Sequence, residues 1–179
     1  PTAREPGEQG NRLEEGPAYP EIRNRKSEIA NASEWPTYRR DPLRSGATAM
    51  ELPETLAIAW RAQLGGHLTQ PVIAAGKLLV ASTDEHAVYA LDAATGRLAW
   101  RYTCGGRVDS PPTLHGGLAL FGSADGYVYC LRAADGALAW RFRAAPADTR
   151  AVACEQPESL WPVHGSVLVL DGVAYCSAG

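Results

Sequence analysis

The side chains on which chemistry could rest are four cysteines, four histidines and a scatter of carboxylates and arginines. Cys104, Cys130, Cys154 and Cys176 form no Cys-x-x-Cys pair, and no histidine stands at zinc-finger spacing from any of them. Cys130 and Cys176 lie inside apolar runs, where a thiol acts as a small apolar group. Cys104 and Cys154 lie in connections and would pair only if the fold brought them together. There is no nucleophile elbow and no phosphate-cradling glycine loop, and His, Asp and Ser are too scattered for a triad. No Asp/Glu/Asn cluster has calcium-loop spacing. Arg107 and Asp109, two apart in an extended run, face the same side and are expected to form a fixed ion pair. His67 and His86 read as solvated loop residues rather than metal ligands. The basic run Arg23-Asn24-Arg25-Lys26 reads as part of a solvated linker rather than an anion site.

Composition narrows the partners. A net charge of −3 over 179 residues points away from nucleic acid and from anionic membrane surfaces. No apolar stretch approaches the roughly 18 residues needed to cross a bilayer. The chain opens at Pro1, so the lack of a leader is uninformative.

The elements that must position these groups come from a repeat. Residues 71–101 and 111–141 run in parallel: Val88-Tyr89-Ala90-Leu91 over Val128-Tyr129-Cys130-Leu131, and Gly96 with Trp100 over Gly136 with Trp140. Aligned without a gap, the copies recur at about forty residues, a propeller or solenoid period. Within each copy, short apolar runs such as 78–81, 87–91 and 98–102 are bounded by Gly, Asp and Ser. Such runs are too short and too β-branched or aromatic for helices and read as strands joined by tight turns. Four strands per repeat make one antiparallel propeller blade.

The spacing Ala90-x-Asp92-x-x-Thr95-Gly96-x-x-x-Trp100 resembles the tryptophan-docking motif of the pyrroloquinoline-quinone-type β-propellers. That superfamily includes quinoprotein alcohol dehydrogenases and a non-catalytic propeller lipoprotein of outer-membrane assembly. The second copy keeps Gly136 and Trp140 but has Cys130 for Ala and Arg132 for Asp. Three further phrases, beginning at Trp35, Arg107 and Trp161, are similar to those of large exported propeller proteins of planctomycete-type bacteria. The resemblance implies an indole of each blade lying flat against the next blade, with Trp100 and Trp140 both largely buried.

The expected fold is therefore all-β, a partial propeller of four-stranded antiparallel blades. Residues 1–34 read as a linker or partly disordered arm, too polar to bury a core. Residues 35–179 read as the N-terminal part of the ring. Run 56–63 carries Trp60 at the docking position without preceding strands, so it reads as a closing outer strand. Complete blades follow at 66–103 and 106–143, then an ordered insert loop at 144–165, then a truncated blade at 166–179. Two complete blades fall short of the roughly four to eight of a closed ring, so further blades of the same propeller are expected partners.

By the family's topology, the ligand-bearing funnel face would carry His67, Asp84, Glu85, His86, Arg107, Asp109, Asp125, Glu155 and His164. Quinoprotein dehydrogenases of this kind use adjacent cysteines above the quinone, an Asp base and carboxylate ligands to Ca²⁺. No adjacent cysteines occur in this sequence. The resemblance thus implies a non-catalytic, exported or periplasmic scaffold that binds a protein or other ligand on that face, with no cofactor in this segment. The alternative is a piece of a quinoprotein dehydrogenase whose pyrroloquinoline quinone and Ca²⁺ lie in other blades.

Overall fold

The computed structural model describes residues 11–22 and 34–179. Two antiparallel meanders dominate it. The first runs β2 (Val72–Ala74), β3 (Lys77–Ser82), β4 (Ala87–Asp92) and β5 (Leu98–Thr103) in that spatial order. The second runs β6 (Thr113–His115), β7 (Leu118–Gly122), β8 (Tyr127–Arg132) and β9 (Leu138–Arg143). A third begins with the hairpin β12 (Leu168–Leu170) and β13 (Val173–Tyr175). The partial propeller expected from the repeat is the fold observed.

Local chemistry explains the meanders. Each first hairpin closes through two residues of positive φ: Ala75-Gly76, Gly116-Gly117 and Asp171-Gly172. That is the two-residue turn whose twist suits adjoining strands. The facing sides of the blades supply the core, with Leu79, Val88, Ala90, Phe121, Tyr129 and Leu131 buried together. The Phe121 and Tyr129 rings stack there at 5.3 Å.

The copies do not align gaplessly. Val72 pairs with Leu79 and Thr113 with Leu120, whereas Ala90 pairs with Trp100 and Cys130 with Trp140. The first hairpin of the second blade is thus displaced by one residue more than its second hairpin, leaving one residue fewer between equivalent ladder positions of β7 and β8 than of β3 and β4. A one-residue slip turns side chains to the other face, so cross-strand pairing, not sequence identity, sets the register.

Indoles join successive blades. Trp100 is 8% exposed and donates from Nε1 to Ala133 O at 2.9 Å. A Cβ on Gly136, at φ 76°, would lie 2.8 Å from that ring, so only glycine admits the contact. Trp60 repeats the geometry on the first blade, donating to Ala93 O at 3.0 Å and covering Gly96. The turn beneath differs between copies. Asp92 accepts from Thr95 N at 2.9 Å and from Thr95 Oγ1 at 2.8 Å. In the second blade Arg132 instead forks onto Asp135, at 2.9 and 2.6 Å. Ala90 is fully buried beneath the first of these turns.

Run 56–63 forms no ladder with any described residue, so the expected closing strand is held at its Trp60 anchor alone. A strand is stable only through its partners. Its amides are accordingly expected to exchange with solvent rapidly here and slowly in a chain that supplies neighbouring strands. Equal protection in both, read by hydrogen-exchange mass spectrometry, would overturn the assignment.

Part of the stretch read as a linker or partly disordered arm is ordered. Residues 13–15, inside the stretch read as a linker, form β1 (Leu13–Glu15), which pairs antiparallel with β9 and gives the second blade a fifth strand. A short turn of helix, α1 (Tyr19–Ile22), follows, with Ala18 buried ahead of it. The basic run at 23–26 lies outside the described residues. The segment from Trp35 crosses the inner strands. Trp35 exchanges backbone hydrogen bonds with Ile73 at 2.9 and 2.8 Å, and Leu114 N donates to Pro36 O at 2.7 Å. Thr37 and Thr113 share a 2.8 Å hydroxyl contact. Among the described residues no helix is long and apolar enough to cross a membrane.

Candidate functional site

The β3–β4 and β7–β8 loops, together with the connections leaving β5 and β9, share one face. The insert between β9 and β12 rises from it as a hairpin, β10 (Arg150–Ala153) and β11 (Gln156–Ser159). Cys154 and Glu155, at φ 49° and 64°, make its tight turn. The expected ordered loop is thus a strand pair.

Most of the funnel-face candidates meet one another, in pairs that the sequence did not suggest. Arg107 does not bridge to Asp109. It forks onto Glu158 of the hairpin, Nε to Oε1 at 2.5 Å and Nη2 to Oε2 at 3.2 Å. Glu158 is 4% exposed, and the guanidinium holds its carboxyl below the ordinary carboxylate range. Gln156 Nε2 donates to the same carboxylate at 3.1 Å, while its Oε1 meets His86 Nε2 at 2.5 Å. His86, Gln156, Glu158 and Arg107 thus form one polar chain latching the hairpin to the β3–β4 loop of the first blade and to the entrance of the second. Ser159 N–H adds a 2.8 Å bond to Ala124 O on the second.

Asp109 pairs instead with His164 Nδ1 at 2.7 Å. His67 is exposed as expected but tied to Asp84, ring and backbone, at 2.7 and 2.8 Å. These two hydrogen bonds, the backbone one foremost, lower the Asp84 pKa.

Asp125 is not on the surface. It is buried and accepts from Tyr129 Oη at 2.5 Å, Gly105 N at 3.1 Å and Tyr127 N at 3.1 Å. Burial first, and the neighbouring Asp125 charge second, raise the Tyr129 pKa. Glu85 holds the equivalent place in the first blade, accepting from Tyr89 Oη. The carboxylate–tyrosine pairs brace the loops from below. Sequence inspection missed them, although Tyr four residues after an acid recurs in both copies.

Cys104 and Cys154 do not pair; all four cysteines are free. Cys104 Sγ lies 3.2 Å from both His86 O and Gly106 O, which compete for its one proton, and burial pushes the thiol up to about 12. Glu155 sits exposed at the hairpin tip. Trp140, expected to be largely buried between blades, is partly buried, packing beside Val167 and Val169 with no glycine turn over it among the described residues.

This face sets paired polar groups beside exposed apolar ones. Its polar groups are largely spent on each other, while Val152 of β10 is 81% exposed and Leu160, just past β11, is also exposed. Among the described residues no three His, Cys, Asp or Glu converge as metal ligands.

A family model described as outer membrane protein assembly factor BamB matches residues 50–174. No curated protein sequence matches the chain. Among solved structures, the fold is similar to BamB from Moraxella catarrhalis, with TM-score 0.52 and 22% identity over 67% of this chain and 33% of that one. It is also similar to the quinohemoprotein alcohol dehydrogenase ADHIIG from Pseudomonas putida HK5, with TM-score 0.68 and 20% identity over 83% of this chain and 23% of that one. The quinohemoprotein alcohol dehydrogenase from Comamonas testosteroni gives 0.63 and 22%, over 82% and 23%. This chain thus spans a third or less of each of these proteins, and the likeness to them is one of fold.

Proposed function

Since the chain belongs to the family described as outer membrane protein assembly factor BamB, a family of pyrroloquinoline-quinone-type repeat propellers, we propose that it is a non-catalytic scaffold. Its latched hairpin face binds a protein partner. The carrying observation is the polar chain from His86 to Arg107, which fixes the hairpin while leaving all of β10, Val152 foremost, in solvent. Rigid presentation lowers the ordering cost of association, and an exposed apolar strand is the kind of surface that a partner covers. In this reading the Trp60 and Trp100 contacts are the family's docking motif, further blades complete the ring, and the protein works in an exported, bacterial setting, in keeping with the family's description.

The competing reading, a quinoprotein dehydrogenase, draws on the fold likeness to the alcohol dehydrogenases. Titration with pyrroloquinoline quinone and Ca²⁺, followed by difference absorbance, is expected to show no saturable change. Micromolar binding would overturn the scaffold reading. Its positive arm uses Cys154 at the hairpin tip as the attachment point for a photo-crosslinker. In bacterial envelope extract, a protein adduct is expected that Val152→Asp abolishes; an adduct unaffected by that change would place the partner elsewhere.

A further inference from the structure

One outer sheet edge of this molecule is paired, and its counterpart has no strand partner among the described residues. On β9, Gly16 N donates to Ala139 O at 2.8 Å and Arg143 N to Arg12 O at 2.8 Å. Arg141 grips Glu14 through Nε at 2.8 Å and Nη2 at 2.6 Å. A Cβ on Gly16 would overlap Leu138 O, so the arm approaches as closely as a backbone can. Beneath it Ala139 is 0% exposed.

On β5, the equivalent strand of the first blade, the matching residues are Leu98, Ala99, Arg101 and Thr103. Among the described residues β5 pairs only with β4. Leu98 is 55% exposed, Ala99 is exposed, and Arg101 keeps a side-chain exposure of 43% beside Glu85. The backbone groups that β9 turns toward the arm have their counterparts at Ala99, Arg101 and Thr103, facing outward.

We propose that the outer edge of β5 is a docking site for an extended acidic segment of a partner protein, added as a further strand in the way that β1 adds to β9. Main-chain pairing supplies the affinity, and the side-chain positions supply the selection. The ligand carries a Glu or Asp opposite Arg101, and a glycine two residues later where the edge comes closest. One substitution limits the ligand's length. Arg132, which holds Glu21 of the arm, is replaced on the first blade by Asp92. A second acidic residue seven positions on is therefore repelled, so the ligand is shorter than the molecule's own arm. The surface is separate from the hairpin face and does not depend on the scaffold reading.

The test uses the full chain and the synthetic hexapeptide Asn-Arg-Leu-Glu-Glu-Gly, the sequence of residues 11–16. Hydrogen exchange at the Arg101 and Thr103 amides is expected to slow by about tenfold at saturating peptide. Arg101→Glu is expected to abolish the slowing, and a peptide with Lys in place of its first Glu is expected to restore it on that variant. Slowing that survives both charge reversals, or no slowing at millimolar peptide, overturns the proposal. So does a change confined to β9, which would mean exchange with the molecule's own arm. Protection of β5 that rises with protein concentration alone would assign the edge to a second copy and overturn it equally.

Discussion

Trp100→Ala is expected to lower stability by about 3–5 kcal/mol, the range for a large aromatic removed from a core. The indole joins two blades, fills the space over Gly136 and gives Ala133 O its donor, so truncation opens a cavity and leaves a carbonyl unpaired at once. Trp140→Ala is expected to cost less, about 1–2 kcal/mol, because its ring is only partly buried and meets no equivalent glycine turn among the described residues. Urea denaturation of the two variants side by side reads the difference. Equal losses would show that the ring packs Trp140 as tightly as Trp100. Gly136→Ala should approach the Trp100→Ala loss, since the added carbon displaces the same ring.

Glu158→Ala is expected to release the hairpin. The variant leaves Arg107 with a side-chain exposure of only 20% and no carboxylate. Breaking a buried pair costs about 3–5 kcal/mol, and the lower end applies here because Arg107 keeps some water. The loss is local: amides of β10 and β11 should exchange faster while β3, β4, β7 and β8 keep their protection. Acid should act like the substitution. The folded carboxyl titrates below its ordinary 4.5, so its contribution is complete above that pH and disappears as pH falls through the lower folded value. In Glu158→Ala this acid-dependent part of hairpin protection should be absent. Acid sensitivity that persists would shift the cause to another carboxylate.

The blades were readable in the sequence because they rest on local signals: strand-length apolar runs, turns rich in glycine, and a repeated Gly-x-x-x-Trp. What was not readable depends on distant partners. Arg107 and Asp109 share a face of an extended run, yet the partner of Arg107 lies 51 residues away on a hairpin whose position no local pattern discloses. Asp125 has the composition of a surface loop residue, but Tyr129 and Gly105 draw it inside. The register slip between the copies was hidden because the Pro-Pro and Gly-Gly doublets of the second blade align equally well in two ways. Residues 11–16 look like linker because they carry almost no apolar surface. Their order comes from backbone pairing and from Arg12 and Glu14 meeting a strand far along the chain.

That distance bears on synthesis. Glu14 leaves the ribosome 127 residues before Arg141, so at roughly 5–20 residues per second the arm waits about 6–25 s for its edge to exist. The first blade emerges sooner and displays an edge with the same arginine, so the nascent arm meets a wrong docking strand before the right one. Asp92 stands there in place of Arg132, so the early blade lacks the contact that holds Glu21 on the later one. An Asp92→Arg chain would be expected to fold with its N-terminus trapped one blade too early.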